Sequence, residues 1–418
     1  MSDRPSRYVI GVDIGGTFTD VFFLDEAAGR YEVAKVPSTT DDQSRGFIDG
    51  IRDKLSGFAE VATVVHGTTV GTNALLERKG ARTGIITTRG FRDVLEMRRR
   101  DRPQTWGLWG QFDPVVPRDM RLEVTERTLA DSTIHTAVDT REIKAAAQQL
   151  LDAGAESVCI VFINAYANAA NELLALKAVR SVWPNDYVEA SSNILPEIRE
   201  FERTSTTTLN AYLQPLIGSY LGKLEAALKG DGFAGRVLMV QSNGGVMTVE
   251  TARRFPIRTA LSGPAAGVIA SAYIAGEAGF PNVITCDMGG TSFDVSLIAD
   301  GESALASQTN IDFGMTVRTP MIEMTTKSST MVKPCLSFLV FCFLFIERIP
   351  FFFALQLYIR FSLQGGFLMT TLNTQKSYIA IVLTLYGRLN YLPRGADRRH
   401  VIEIRHTTSG CASPIDQP

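Results

Sequence analysis

The sequence is poor in the residues that build metal and redox centres. It carries only four histidines, and its five cysteines, Cys159, Cys286, Cys335, Cys342 and Cys411, are scattered, odd in number and never spaced C-x-x-C. That argues against a disulfide framework, a zinc site and an iron–sulfur cluster. Neither sign of charge dominates. With 42 basic and 44 acidic residues the formal charge is −2, which gives no nucleic-acid footprint. The one dense basic run, Arg98, Arg99, Arg100 and Arg102, is interleaved with Asp101, Pro103 and Gln104 and reads as a solvated loop.

Long uninterrupted apolar runs are missing too. The richest segment, Cys335 to Leu363, is broken at Glu347, Arg348 and Pro350, whereas a membrane span needs roughly 20 consecutive apolar residues. No membrane span is expected. The polar start "MSDRPSRYVI" enters a strand without a signal-peptide core, so a cytoplasmic protein is expected.

What is present is a globular composition, 45% hydrophobic and 21% charged over 418 residues, enough for two or three cores. From Tyr8 to about Met324, short β-rich runs alternate with helical ones. "SVCIVFINAY" (Ser157 to Tyr166) and "RVLMVQSNGG" (Arg236 to Gly245) read as apolar strands. "REIKAAAQQLLDAG" (Arg141 to Gly154) and "TTTLNAYLQPLIGSYLGKLEAALKG" (Thr206 to Gly230) have helical spacing and stop at glycine. This rhythm predicts an α/β class with largely buried sheets. Beyond Met324 the texture changes to aperiodic phenylalanines and a mixed polar end, expected to be an aberrant tail.

One motif occurs twice. "VDIGGTFTDVFF" from Val12 returns as "CDMGGTSFDVSL" from Cys286, both reading D-x-G-G-T-x-x-D. The fixed positions are Asp13, Gly15, Gly16, Thr17 and Asp20, then Asp287, Gly289, Gly290, Thr291 and Asp294. Each copy lies between two runs with strand character, so the glycines sit in a β-hairpin turn. A P-loop or Rossmann turn would open a helix instead. A Gly-Gly pair also makes an ordinary hairpin turn, but the duplicated spacing favours a ligand turn. Its backbone N–H groups can converge on a phosphate, and the aspartates fit if Mg²⁺ lies between carboxylate and phosphate. Two such turns on related half-domains are expected to clamp one nucleotide.

The duplicated hairpin resembles the phosphate loops of the actin, sugar-kinase and Hsp70 ATPase superfamily. The segments "HGTTVGTNALLERKGARTGIITTRGFRDVLEMRR" from His66, "LPEIREFERTSTTTLNAYLQP" from Leu195, "QSNGGVMT" from Gln241 and "LSGPAAGV" from Leu261 are similar to the hydantoinase A/5-oxoprolinase family over residues 8 to 324. The resemblance implies actin-like (ribonuclease H-like) duplicated ATPase domains with an incomplete second half. It divides the chain into an N-terminal domain over 1–188, a partial A domain over 189–324 and the tail over 325–418.

The resemblance further implies ATP-dependent opening of a cyclic amide such as a hydantoin or 5-oxoproline, or carboxylation of a ketone, by an A-type subunit with a B-type partner, and the incomplete second half is expected to leave this chain's catalytic design legible but not operable. ATP and Mg²⁺ are the implied cofactors. Carried over residue by residue, Asp13, Gly15, Gly16, Thr17, Thr19 and Asp20 hold phosphate and metal in the first loop. Gly289, Gly290, Thr291 and Ser292 hold phosphate in the second. Asp13, Asp287 and Asp294 take the catalytic places; Asp13, Asp20 and Asp287 those of metal ligands.

His66, Thr68, Thr69 and Asn73 are candidates for the substrate side, although a lone histidine such as His66 is more often a satisfied structural residue. Glu197, Glu200 and Arg203 are either functional or an ion-pair set, and "SGPAAG" permits close approach of a helix to a sheet or nucleotide. The chain departs from the family at Asn164, Ala165 and Asn171, where His-Ser and His are common, and after "VRTPMIEM", where a glycine-rich segment is expected. A small-molecule kinase and a non-enzymatic truncated chain that binds a B-type partner stay open as alternatives.

Overall fold

Alternation of apolar and polar residues in the first 25 positions dictates a half-buried hairpin. In the computed structural model, β1 (Tyr8–Ile14) and β2 (Phe18–Asp25) pair antiparallel. Ile10, Val12, Ile14, Val21 and Phe23 are buried on one face, while Asp13 and Asp20 lie on the other. The structure describes residues 8–15, 18–39, 43–55, 57–100, 112–288, 292–311, 315–328, 368–374 and 377–385. Gly16, Thr17, Arg102, Gly289, Gly290, Thr291 and most of the tail lie outside the described residues.

The hairpin continues into β3 (Arg30–Pro37), α1 (Gln43–Arg52), β4 (Val61–Thr68) and α2 (Val70–Leu76). Then follow β5 (Thr83–Thr88), β6 (Arg121–Val124), α3 (Thr140–Asp152), β7 (Ser157–Val161), α4 (Ala170–Arg180) and β8 (Val188–Ala190). The long α5 (Glu200–Gly230) leads to β9 (Arg236–Val240), β10 (Val246–Thr248) and α6 (Ser262–Glu277). One sheet has the order β10-β9-β4-β1-β2-β3 and a second the order β8-β7-β5-β6. β4 lies parallel to both β1 and β9, and all pairings in the second sheet are parallel. The expected α/β class is therefore observed.

Expected strands and helices shift at their ends for local reasons. The strands expected to reach Tyr166 and Gly245 stop at Val161 and Val240. α5 begins at Glu200, ahead of the expected Thr206. Its polar first turns are buried and bonded. Thr204 and Thr207 donate back to the carbonyls of Glu200 and Arg203, both at 2.7 Å. Ser205 Oγ accepts from Thr316 N at 2.7 Å and Thr206 Oγ1 from Arg318 N at 2.9 Å. Further along, Leu209, Leu213, Ile217, Leu221, Leu224 and Leu228 are buried at three- or four-residue steps, each stabilising the fold by about 2 kcal/mol.

The chain divides into two compact units, one of residues 1–266 with 305–322 and the other of residues 267–304 with 323–418. In the second unit β11 (Val283–Met288) and β12 (Ser292–Ala299) form the repeated hairpin, edged by β13 (Glu302–Ser303) and β14 (Met324–Ser328). From the tail come β15 (Leu368–Thr374) and β16 (Ser377–Leu385), and β16 lies parallel to β11. It takes the place beside β11 that β4 takes beside β1. A segment expected to have no counterpart thus supplies a β-branched, apolar strand, "SYIAIVLTL".

Candidate active site

Strand register sets the first site. Asp13 stands opposite Asp20 on β2 and opposite Gly67 on β4. In the second unit Asp287 stands opposite Asp294 in the same way. Both hairpins therefore present their aspartate pair one step before the glycine turn, and the seven-residue spacing is the sequence trace of this register.

Three elements of the first unit converge on the Asp13 carboxylate. A Cβ on Gly67 would lie 3.2 Å from its Oδ1, and one on Gly263, in the first turn of α6, 3.1 Å away. A side chain at either position would have to push the carboxylate back by a few tenths of an ångström, so Gly263 gives the "SGPAAG" stretch its close approach, whereas Gly267 has open space. Asp13 is open to solvent on one side and densely surrounded on the others. That crowding, then the charge of Asp20, pushes its carboxyl up to about 6 against the pull of Lys35.

Lys35 is a participant that sequence reading missed. From β3 its Nζ reaches Asp20 Oδ1 at 2.9 Å and Oδ2 at 3.2 Å, and it lies 5.0 Å from the Phe18 ring centre. Asp20, expected as a metal ligand, is ion-paired here. Both partners are partly exposed, so the pair adds little stability. Its use is a fixed positive charge beside the turn.

Thr19 corrects an expectation. It is fully buried on the inward face, its hydroxyl 3.1 Å from Ser38 Oγ, which donates to the Gly15 carbonyl at 2.8 Å. Thr19 thus braces the turn from behind and does not present its hydroxyl to a phosphate. Gly15 is half-buried, and its N–H closes the turn onto Phe18 O at 2.9 Å.

His66 follows its structural alternative. It is fully buried, with Nδ1 3.2 Å from Val12 O and Nε2 2.7 Å from the Tyr220 hydroxyl. A carbonyl only accepts, so Nδ1 carries the proton and Nε2 accepts from Tyr220. Phe47 packs edge-on at 5.2 Å. No nitrogen is left for substrate. The ring ties β4 to β1 and α5.

Burial pushes its pKa down to about 4. The unfolded chain therefore binds a proton that the folded chain refuses between 6.5 and 4, and stability falls as pH drops through that window. Replacing His66 by Gln should remove a loss of about 2 kcal/mol between pH 7 and pH 5, read by urea unfolding at both values. An unchanged pH dependence would contradict this reading.

Thr68, Thr69 and Asn73 all make bracing contacts. Thr68 Oγ1 accepts from Val70 N at 3.2 Å and its carbonyl accepts from Ser262 Oγ at 3.1 Å. Thr69 Oγ1 donates to Ile14 O at 2.9 Å and accepts from Asn73 Nδ2 at 3.4 Å. Together they lock α2 and the start of α6 to the end of β1. Glu197 is an ion-pair residue, 2.8 Å from Arg318. The expected solvated loop is also partly structural: Arg99 grips the buried Glu202 through Nε at 2.8 Å and Nη2 at 2.5 Å.

The departures at Asn164 and Asn171 are absorbed by packing. Asn164 Nδ2 donates to Thr128 O at 2.9 Å, and the buried Asn171 accepts from Val138 N and donates to Glu126 and Thr136 O. Burial raises the pKa of Glu126.

In the second unit Asp294 is buried and Asp287 half-buried. Ser292 opens β12, but its side chain lies outside the described residues. Among the described residues no group of three His, Cys, Asp or Glu side chains forms a metal cage. Mg²⁺ does not need one. It keeps its waters and takes one or two carboxylates plus phosphate oxygens, and Asp13 is a carboxylate with an exposed side where such an ion could sit. No helix among the described residues is long and apolar enough to cross a membrane.

A duplicated strand-turn-strand unit with paired aspartates in a mixed α/β sheet defines an ATPase-like class. Comparison with known proteins narrows it: residues 9–183 match the hydantoinase/oxoprolinase N-terminal region and residues 203–329 the hydantoinase/oxoprolinase family proper. The chain belongs to the hydantoinase/oxoprolinase family. It is 32% identical over 331 residues to caprolactamase subunit alpha of Pseudomonas jessenii, covering 77% of this chain and 47% of that one.

Among solved structures, the ATP-dependent caprolactamase from Pseudomonas jessenii superposes with a TM-score of 0.67 at 32% identity, covering 76% of this chain and 48% of that one. Nucleotide-free acetone carboxylase gives 0.68 at 28% identity, covering 77% and 48%. These neighbours carry the duplicated ATPase-like fold. The chain spans about half the length of the relatives it matches.

Proposed function

We propose that this chain is the nucleotide-binding part of an ATP-dependent enzyme that opens a cyclic amide of the hydantoin or 5-oxoproline type, working with a B-type partner subunit. One observation carries the reading: the aspartate pair occupies the same register in both hairpins. Support comes from relatives described as ATP-dependent and as lettered subunits of larger enzymes.

Asp13 is the metal-facing carboxylate, and Asp287 and Asp294 are its counterparts in the second hairpin. Gly15, Gly16 and Thr17, with Gly289, Gly290, Thr291 and Ser292, offer the backbone and hydroxyl donors for phosphate. Bound Mg-ATP supplies a phosphoryl group that turns the inert lactam oxygen into a leaving group. The chain's own residues position and neutralise. Lys35 holds Asp20 so that its charge does not oppose an incoming phosphate, while Thr19 and Ser38 keep the Gly15 carbonyl turned inward.

Product analysis tests the assignment. Chain and B-type partner are incubated with Mg-ATP and 5-oxoproline, a hydantoin or caprolactam. The expected result is phosphate release that requires one of the lactams and yields the ring-opened acid. A persistent phosphorylated hydroxyl compound, formed without any lactam, would move the chain to the kinase class. Co-purification with the partner but no lactam-dependent phosphate release would favour a non-enzymatic chain.

A further inference from the structure

Outside the hairpins, the first turn of α5 holds a charged group whose chemistry the phosphate reading does not use. Arg203 is fully buried. Its Nη2 donates to Phe162 O at 2.6 Å, but among the described residues neither Nε nor Nη1 finds an acceptor. Two buried donors on a charged guanidinium are costly to leave unmade.

Side chains on a helix lean toward its N-terminus, and the bond to Phe162 O sets this guanidinium between the start of α5 and the end of β7. There α5 has no side-chain cap, and Arg199, its N-cap residue, sits at φ 92°. The positive end of a long helix and two donors without acceptors point to the same occupant, an anion.

The acids nearby set its charge. Glu172 accepts from Phe162 N at 2.9 Å, Ser191 Oγ at 2.7 Å and Ser192 N at 2.7 Å, all neutral donors, so its negative charge still acts on Arg203. Glu202 is neutralised by Arg99. Glu200 is the second acid that acts on Arg203. A doubly charged phosphate would meet Glu172 and Glu200 with far too little positive charge in return, whereas a singly charged, planar group meets less repulsion and matches the flat guanidinium. The Tyr166 ring, 5.7 Å from the guanidinium carbon, gives a flat wall.

We propose that Arg203 anchors a binding site for a small carboxylate, built from the first turn of α5, the end of β7 and Tyr166, and separate from the aspartate hairpins. The carboxylate is that of a lactam acid such as 5-oxoproline or that of bicarbonate. The site deepens the cyclic-amide reading by naming the group on the substrate side, and it rests on that reading only for the first of the two sources.

Thermal melts of the full chain at constant ionic strength test it, with chloride replaced by bicarbonate, 5-oxoproline or inorganic phosphate. The expected result is a carboxylate-specific rise of about 2 °C or more at saturation, absent with phosphate and absent in Arg203→Met. A rise with 5-oxoproline alone assigns the substrate carboxylate, and a rise with bicarbonate alone assigns that ion. No rise in the wild type, or an equal rise in Arg203→Met, overturns the site.

If Arg203→Met does not fold, the wild-type Arg203 Nε–H resonance decides. A shift on adding the carboxylate supports the site and an unmoved signal overturns it. Carboxylate silence with Mg-ATP binding intact removes this site alone. Loss of Mg-ATP binding with the carboxylate response intact removes the hairpin reading alone.

Discussion

Asp13→Asn should leave a chain that melts higher and no longer binds Mg-ATP. The two effects share a cause. The folded state pushes the Asp13 carboxyl up to about 6 from 3.8, so between those values the folded chain holds a proton that the unfolded chain has released. Stability therefore rises as pH falls through that window, and at neutral pH the ionised group opposes folding. A neutral isostere removes that opposition and should raise the melting temperature by about 2 °C.

The same charge is what a hard cation needs, so Mg-ATP affinity should drop roughly 100-fold or more in the variant. In the wild type it should weaken as pH falls below about 6, where Asp13 takes up its proton. Melts and calorimetry at pH 7.5 and 5.5 read both. A lower melting temperature together with unchanged nucleotide affinity would show Asp13 to be a structural residue.

The second large effect concerns Glu172. This carboxylate is fully buried and joins the end of β7 to the turn after β8 through Phe162 N, Ser191 Oγ and Ser192 N. Removing it leaves buried donors without an acceptor and strips a negative charge from the surroundings of Arg203. Glu172→Ala should cost about 3–5 kcal/mol and lower the melting temperature by roughly 10 °C. Because Glu172 serves the second sheet, Mg-ATP affinity of the folded variant should stay within about twofold, since distant independent sites add. A melting temperature within a few degrees of wild type would mean that water replaces the carboxylate there.

How far the sequence carries depends on how local each interaction is. The hairpins were legible because register turns Asp13 and Asp20 into a repeated seven-residue spacing. The inward aim of Thr19 was also within reach: if Asp13 and Asp20 face out, strand alternation puts Ile14 and Thr19 in. That rule outranks the family analogy that placed Thr19 on phosphate.

For His66 a structural role was legible but its fixing partner was not, since Tyr220 is 154 positions away. Arg99 and Glu202 are 103 apart, which is why an ion pair buried only at its Glu202 end read as a solvated run. The early start of α5 has the same origin: Ser205 and Thr206 find partners at Thr316 and Arg318, and no local pattern announces that a polar turn is buried. Lys35 and Ser38 are unremarkable residues in sequence. Pairing with β2 and contact with the turn give them a role.

The central proposal is that the D-x-G-G-T-x-x-D hairpin at Asp13 takes a magnesium-bound triphosphate. Calorimetric titration of the wild-type chain with ATP, with and without Mg²⁺, tests it most directly. The account predicts micromolar binding in Mg²⁺ that is lost in EDTA and competed by Mg-tripolyphosphate. Equal affinity without the metal, or no binding in its presence, would contradict it.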